Sequence, residues 1–245
     1  MLATKRLYFE GTYKLQCSAQ IVAVGAAPIS GKPDDPVLKP FIVLDQTVCH
    51  PQGGGQPSDV ATITSTTSGA VFHVTDVRND KDRVQILHFG QLTEQDGTTK
   101  DIAELFAVGS TVSLSVDEAA RRHHARLHSA SHLLDSALSR LGVLQQYGLK
   151  PTKGYHFPSG PNVEYSGVIP PAEVDSVQKR LQEEMARLIQ EDASVEVFLD
   201  VPAAKIAELC CTTDFEPEEE EGEDKGGGNT SLSIFPLFGL ILLVA

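Results

Sequence analysis

The chain has 245 residues, 41% of them hydrophobic and 22% charged, with no Trp. That is ordinary globular composition, enough for one large or two small domains. The formal net charge of −13 excludes indiscriminate binding to polyanions. Of the 33 acids and 20 Lys+Arg, 8 acids and 1 base follow Thr213, so the body holds 25 against 19, a net charge of −6 that leaves room for a local basic patch. Four cysteines, Cys17, Cys49, Cys210 and Cys211, are too few and scattered for a disulfide scaffold. With no apolar core after Met1 of the kind a secretory signal has, the expected location is the reducing cytoplasm.

The first half reads as short strands: Tyr13 to Val24, Phe41 to Leu44, Val84 to Phe89 and Thr111 to Val116. Breakers such as Ser30-Gly-Lys-Pro-Asp-Asp-Pro36 separate them, a pattern of small barrels or sandwiches. A helix is predicted from Asp117, a suitable N-cap, to Leu141, with Gly142 as its stop. Its apolar stripe is Leu127, Ala130, Leu134, Ala137, Leu138 and Leu141. Gly154 to Phe157, Val163 to Val168 and Ser194 to Leu199 read as further strands. A second helix runs from Pro171 to Gln190 on a seam of Val174, Val177, Leu181, Met185 and Leu188. Beyond Thr213, the block Glu216 to Asp224 and the spacer Gly226 to Asn229 have the composition of a solvated, disordered segment. The apolar run Ser231 to Ala245, broken by Pro236 and Gly239, is short of the roughly 20 residues of a bilayer span, so no stable membrane association is expected.

Two blocks carry chemistry. In His128-Ser-Ala-Ser-His132 the histidines are four apart on a helix, so both imidazoles can reach one ion. His124 continues the ladder, but eight residues of helix rise about 12 Å, which prevents His124 and His132 from sharing a metal. Ser129 occupies the place of the general-base Glu of metalloproteases, which argues against that chemistry. The other block is Asp45-Gln-Thr-Val-Cys-His-Pro-Gln-Gly-Gly-Gly-Gln-Pro-Ser-Asp59. Gly53, Gly54 and Gly55 allow backbone shapes closed to other residues and a close approach by a ligand, and Gln52 and Gln56 add amide donors and acceptors.

Together with Lys153 to Tyr165, these blocks resemble the alanyl-tRNA editing (AlaX) family and the related editing domain of alanyl-tRNA synthetase. The resemblance covers roughly residues 10 to 210. It implies an α+β protein in three parts: a translation-protein-like β-barrel over 1–112, an α/β editing domain over 113–213, and a disordered tail over 214–245. It further implies a trans-acting, zinc-dependent hydrolase that deacylates alanine tRNA mischarged with serine, and also with glycine. Zn²⁺ is expected on His128 and His132. Thr47 and Gln56 are the expected catalytic residues, reading serine's hydroxyl, and Gly53, Gly54, Gly55 and Asp59 are expected to bind substrate. The family completes its metal site with a downstream Cys-x-x-x-His. Here Cys210-Cys-Thr-Thr-Asp214 is the nearest match, with Asp where His belongs. Either Cys210 and Asp214 complete the site, or the matching segment has been replaced and the chain is a catalytically weak tRNA-binding protein of the same fold.

Overall fold

The computed structural model describes residues 2–31, 36–92 and 101–192, with the backbone of two two-residue strands, Glu196–Val197 and Ile241–Leu242. The elements in chain order are β1 (Lys5–Arg6), a 3-10 turn (Leu7–Phe9), β2 (Gln16–Pro28), β3 (Leu38–Leu44), β4 (Gln46–Thr47), β5 (Ala61–Ser65), β6 (Val71–Asn79), β7 (Ile86–Leu92), α1 (Ile102–Leu105), β8 (Thr111–Val116), α2 (Glu118–Arg140), α3 (Val143–Tyr147), β9 (Lys150–Tyr155), β10 (Asn162–Ser166), α4 (Val174–Glu191), β11 (Glu196–Val197) and β12 (Ile241–Leu242). The protein is mixed α and β, dominated by one large antiparallel sheet.

The chain divides into two compact units, residues 1–127 with 155–161, and residues 128–154 with 162–245. The first holds six antiparallel strands that pair in the closed order β2-β3-β7-β6-β5-β8. Period-2 alternation sets its interior. In β5 Ala61 and Ile63 point inward, and in β8 Val112, Leu114 and Val116 do so while Thr111 and Ser113 face water. Each Ile, Leu or Phe removed from water here contributes about 1.5–3 kcal/mol. β2 pairs through Gln16–Gln20 with β8 and through Ile21–Pro28 with β3, so one long, bulged strand joins the two ends of the ring. A second bulge between Val74 and Asp76 in β6 changes the phase, which brings Val77 into the core after Phe72 and Val74. Gly90 in β7 is required by close approach: a Cβ there would lie 1.9 Å from the His73 carbonyl oxygen.

The strand boundaries expected from sequence match β2, β3, β7 and β8 to within a few residues. β5 and β6 were absent from that reading, although Ala-Thr-Ile-Thr-Ser and Val-Phe-His-Val both alternate. A boundary at residue 112 falls inside β8, whose partners β2 and β5 are distant in sequence and so invisible to local pattern.

In the second unit α2, α3 and α4 pack around Leu138, Val143 and Val177, with Leu134, Leu141, Leu144, Leu181 and Tyr165 of β10 partly buried against them. The Asp117 carboxylate accepts from Ala120 N at 2.9 Å, the expected N-cap of α2, and Gly142 takes a left-handed backbone after its last turn. Two side chains depart from the expected stripes. Ala130 is exposed, because α2 turns Ser131 and His132 inward instead. Val174 is 43% exposed at the first turn of α4, and burial on that seam begins at Val177. No helix among the described residues is long and apolar enough to cross a membrane.

Candidate functional site

The glycine-rich block forms a closed turn in the first unit. Gly53 and Gln56 exchange backbone hydrogen bonds, Gln56 N to Gly53 O at 2.9 Å and Gly53 N to Gln56 O at 3.2 Å. Between them Gly54 and Gly55 have φ of 54° and 76°, the double positive φ of a type I′ turn and the reason for glycine at both positions. Gly53 and Gly54 are exposed at the tip while Gln56 and Asp59 are buried at its base. Gln52 N donates to Val77 O of β6 at 2.9 Å, and His156 N, from the returning segment 155–161, donates to Gly55 O at 2.9 Å.

Asp59 is fully buried and braces the turn. Its carboxylate accepts from His50 N at 2.6 Å and takes a two-pronged contact from Arg121, Nε to Oδ1 at 2.8 Å and Nη2 to Oδ2. The same guanidinium donates to the Val48 carbonyl at 2.7 Å and to that of Thr12. Arg121 was not singled out by sequence reasoning. The signal available for it was an Arg early in α2 beside a fixed acid in the glycine block to pair with.

Thr47 is also fully buried. The Ile42 carbonyl can only accept, so His88 Nδ1 donates to it at 3.0 Å and carries the ring proton. His88 Nε2 is then an acceptor, and the Thr47 hydroxyl donates to it at 2.8 Å while accepting from Cys49 N at 3.0 Å. Burial pushes the His88 pKa down to about 4, so the ring is neutral at physiological pH. Burial likewise raises the Cys49 thiol pKa, which leaves it unreactive. His50 packs its ring against Tyr8 at 5.1 Å between centroids and is held neutral by burial.

The histidine pair lies in the second unit. His128 and His132 of α2 stand one above the other with ring centroids 4.8 Å apart and planes tilted by 42°. Nε2 of His128 and both ring nitrogens of His132 are buried. Two donors on one tetrahedral ion at about 2 Å each lie about 3.3 Å apart, a separation that nitrogens on the edges of rings 4.8 Å apart can approach. Among the described residues no group of three or more His, Cys, Asp or Glu is assembled for a metal. Cys210 and Asp214, the expected further ligands, lie outside the described residues. Beside the pair, Asp135 places Oδ2 3.8 Å from His132 Nδ1 and accepts through Oδ1 from the Tyr165 hydroxyl. Burial first, and the Asp135 carboxylate second, raise the Tyr165 pKa, so this hydroxyl keeps its proton and remains a donor.

The first unit thus bears a glycine turn braced from below, and α2 presents two adjacent imidazoles. Comparison with known proteins narrows the class. The chain is 31% identical over 137 residues to the alanyl-tRNA editing protein AlaX-M of Methanosarcina barkeri, covering 56% of this chain and 48% of that protein. It is 44% identical over 98 residues to an alanine–tRNA ligase of Jannaschia, covering 40% of the chain and 10% of the ligase. It is 28% identical over 176 residues to that of Psychrobacter arcticus, covering 69% and 18%. No family model matches. The chain is thus similar to the AlaX-M alanyl-tRNA editing protein and, over short shares of their length, to alanine–tRNA ligases, and it spans about half the length of the AlaX-M protein it matches.

Proposed function

We propose that the chain is a trans-acting aminoacyl-tRNA deacylase of the cytoplasm, acting on alanine tRNA mischarged with serine and also with glycine. The observation that carries this reading is the His128–His132 pair, one above the other on one helix face with His128 Nε2 and both His132 ring nitrogens buried, in a chain similar to alanyl-tRNA editing proteins and ligases. His128 and His132 would hold Zn²⁺, with Cys210 and Asp214 as candidate further ligands. When bound, zinc supplies Lewis acidity at the ester.

The rest of the chemistry belongs to the chain. Water adds to the acyl carbon, the bond to the terminal ribose oxygen breaks, and that oxygen leaves with a proton as the tRNA hydroxyl. Gln56, buried at the base of the turn, supplies an amide to read serine's hydroxyl. A site that hydrogen-bonds a substrate hydroxyl discriminates against the analogue that lacks it. Thr47, whose proton is committed to His88, contributes by fixing the strand end that leads into the turn. Gly53 and Gly54 offer exposed main chain to substrate, and Asp59 holds that main chain in place through Arg121. Exposed Arg126 on the first half of α2 gives local positive charge for phosphates despite the acidic total.

The test is deacylation of seryl-tRNA(Ala) beside alanyl-tRNA(Ala), with zinc measured by elemental analysis. Seryl ester is expected to be hydrolysed and alanyl ester spared. His128→Ala is expected to lower the rate on the order of 100-fold or more, the loss of several kcal/mol of electrophilic assistance. A zinc-free chain without deacylation would instead support the binding-only reading, which retention of mischarged tRNA in a filter assay would then establish.

A further inference from the structure

We infer that Asp135, held by Tyr165, is a positioning residue for His132: it fixes the imidazole with its proton on Nδ1, so that Nε2 is the nitrogen that would donate to the metal. This rests on the proposed zinc role of His132. Three observations support it. Asp135 lies three residues beyond His132 on α2, a spacing that puts the two side chains on one helix face. Its Oδ2 is 3.8 Å from His132 Nδ1, while Oδ1 accepts the Tyr165 hydroxyl from β10. The His132 and Asp135 side chains are 10% and 25% exposed, so this is not a solvated surface pair of the kind that contributes little.

The arrangement is a chain of donors and acceptors with one direction. Tyr165 donates, the carboxylate accepts at one oxygen and has only acceptor capacity at the other, and the imidazole nitrogen facing it is the one that gains by bearing hydrogen. Closing 3.8 Å to a hydrogen bond needs a movement on the order of 1 Å. Tyr165 holds one carboxylate oxygen, and the other is the one that faces His132. A carboxylate behind a ligand histidine both orients the ring and makes it a better donor.

The test uses the full chain labelled with 15N-histidine, before any metal is added. The ring nitrogen shifts of His132 are expected to place its proton on Nδ1 in the wild type, and Asp135→Asn is expected to lose that preference. Zn²⁺ affinity, read by competition with a chelating dye, should fall about 10–100-fold in Asp135→Asn and less in Tyr165→Phe. Because Tyr165→Phe keeps the carboxylate and nearly the same volume, it carries the comparison if Asp135→Asn does not fold. A wild-type His132 protonated on Nε2, or variants with wild-type tautomer and affinity, overturns the inference. A wild-type chain with the proton on Nδ1 that binds no Zn²⁺ upholds the orientation and removes the zinc reading beneath it, so the two failures are distinguishable.

Discussion

Asp59 and Asp135 are both carboxylates beside a motif, but their surroundings give them different work. Asp59 is fully enclosed, with both oxygens taken by Arg121 and His50 N, and it makes the glycine turn rigid. Asp135 is a quarter exposed, anchored on one side by Tyr165 and turned on the other toward a histidine it does not yet hydrogen-bond. The contrast teaches that a motif acid can be a brace while an acid outside any motif faces the imidazole of a motif histidine. Closure of the hydrogen-bond set, rather than place in the motif, tells the two apart.

The comparison breaks first at Arg121. Arg121→Ala leaves the Asp59 charge buried without its partner, which should cost about 3–5 kcal/mol, read as a lowered urea midpoint. If the loss is under about 1 kcal/mol, Asp59 is not a brace. The barrel interior offers a second, pH-dependent check through His88. Its folded pKa of about 4 lies below the unfolded value of about 6.5, so between those pH values the unfolded chain binds the extra proton. Stability is therefore full above pH 6.5 and falls as the pH drops toward 4, by about 3 kcal/mol in all, at 1.36 kcal/mol per unit. Urea titrations at pH 7, 6 and 5 measure the slope, and His88→Gln should flatten it. The smallest effect belongs to the turn: Gly54→Ala or Gly55→Ala forces a side chain into left-handed backbone and should cost about 1–2 kcal/mol each, seen as a few degrees in Tm. Gly53→Ala, whose φ is not positive and whose Cβ would meet nothing within 4 Å, sharpens the contrast by having little effect.

Much of this was legible in the residues. The cap at Asp117, the extent of α2 and the stacking of His128 on His132 follow from spacing alone, because a helix imposes one geometry on every i, i+4 pair. The glycine turn was legible as a backbone necessity, since few residues other than glycine accept two successive positive φ values. The partners of the polar side chains were not. Thr47 looked like a candidate for contacting substrate, yet its hydroxyl is set by His88, 41 residues away on another strand. Arg121 and Asp59 are 62 residues apart, and Tyr165 and Asp135 are 30 apart. Pairings over such separations depend on which strands meet, and no local pattern encodes that.

The segment 155–161 gives the first unit an unusual order of assembly. Its sheet is complete in sequence at Val116, but the hydrogen bond that closes over Gly55 comes from His156, forty residues further on. A nascent chain can therefore form the barrel strands while the glycine turn still lacks one of its anchors. The turn gains that anchor only once α2 and the start of the second unit have been synthesised, so its closing hydrogen bond forms after the barrel strands are available.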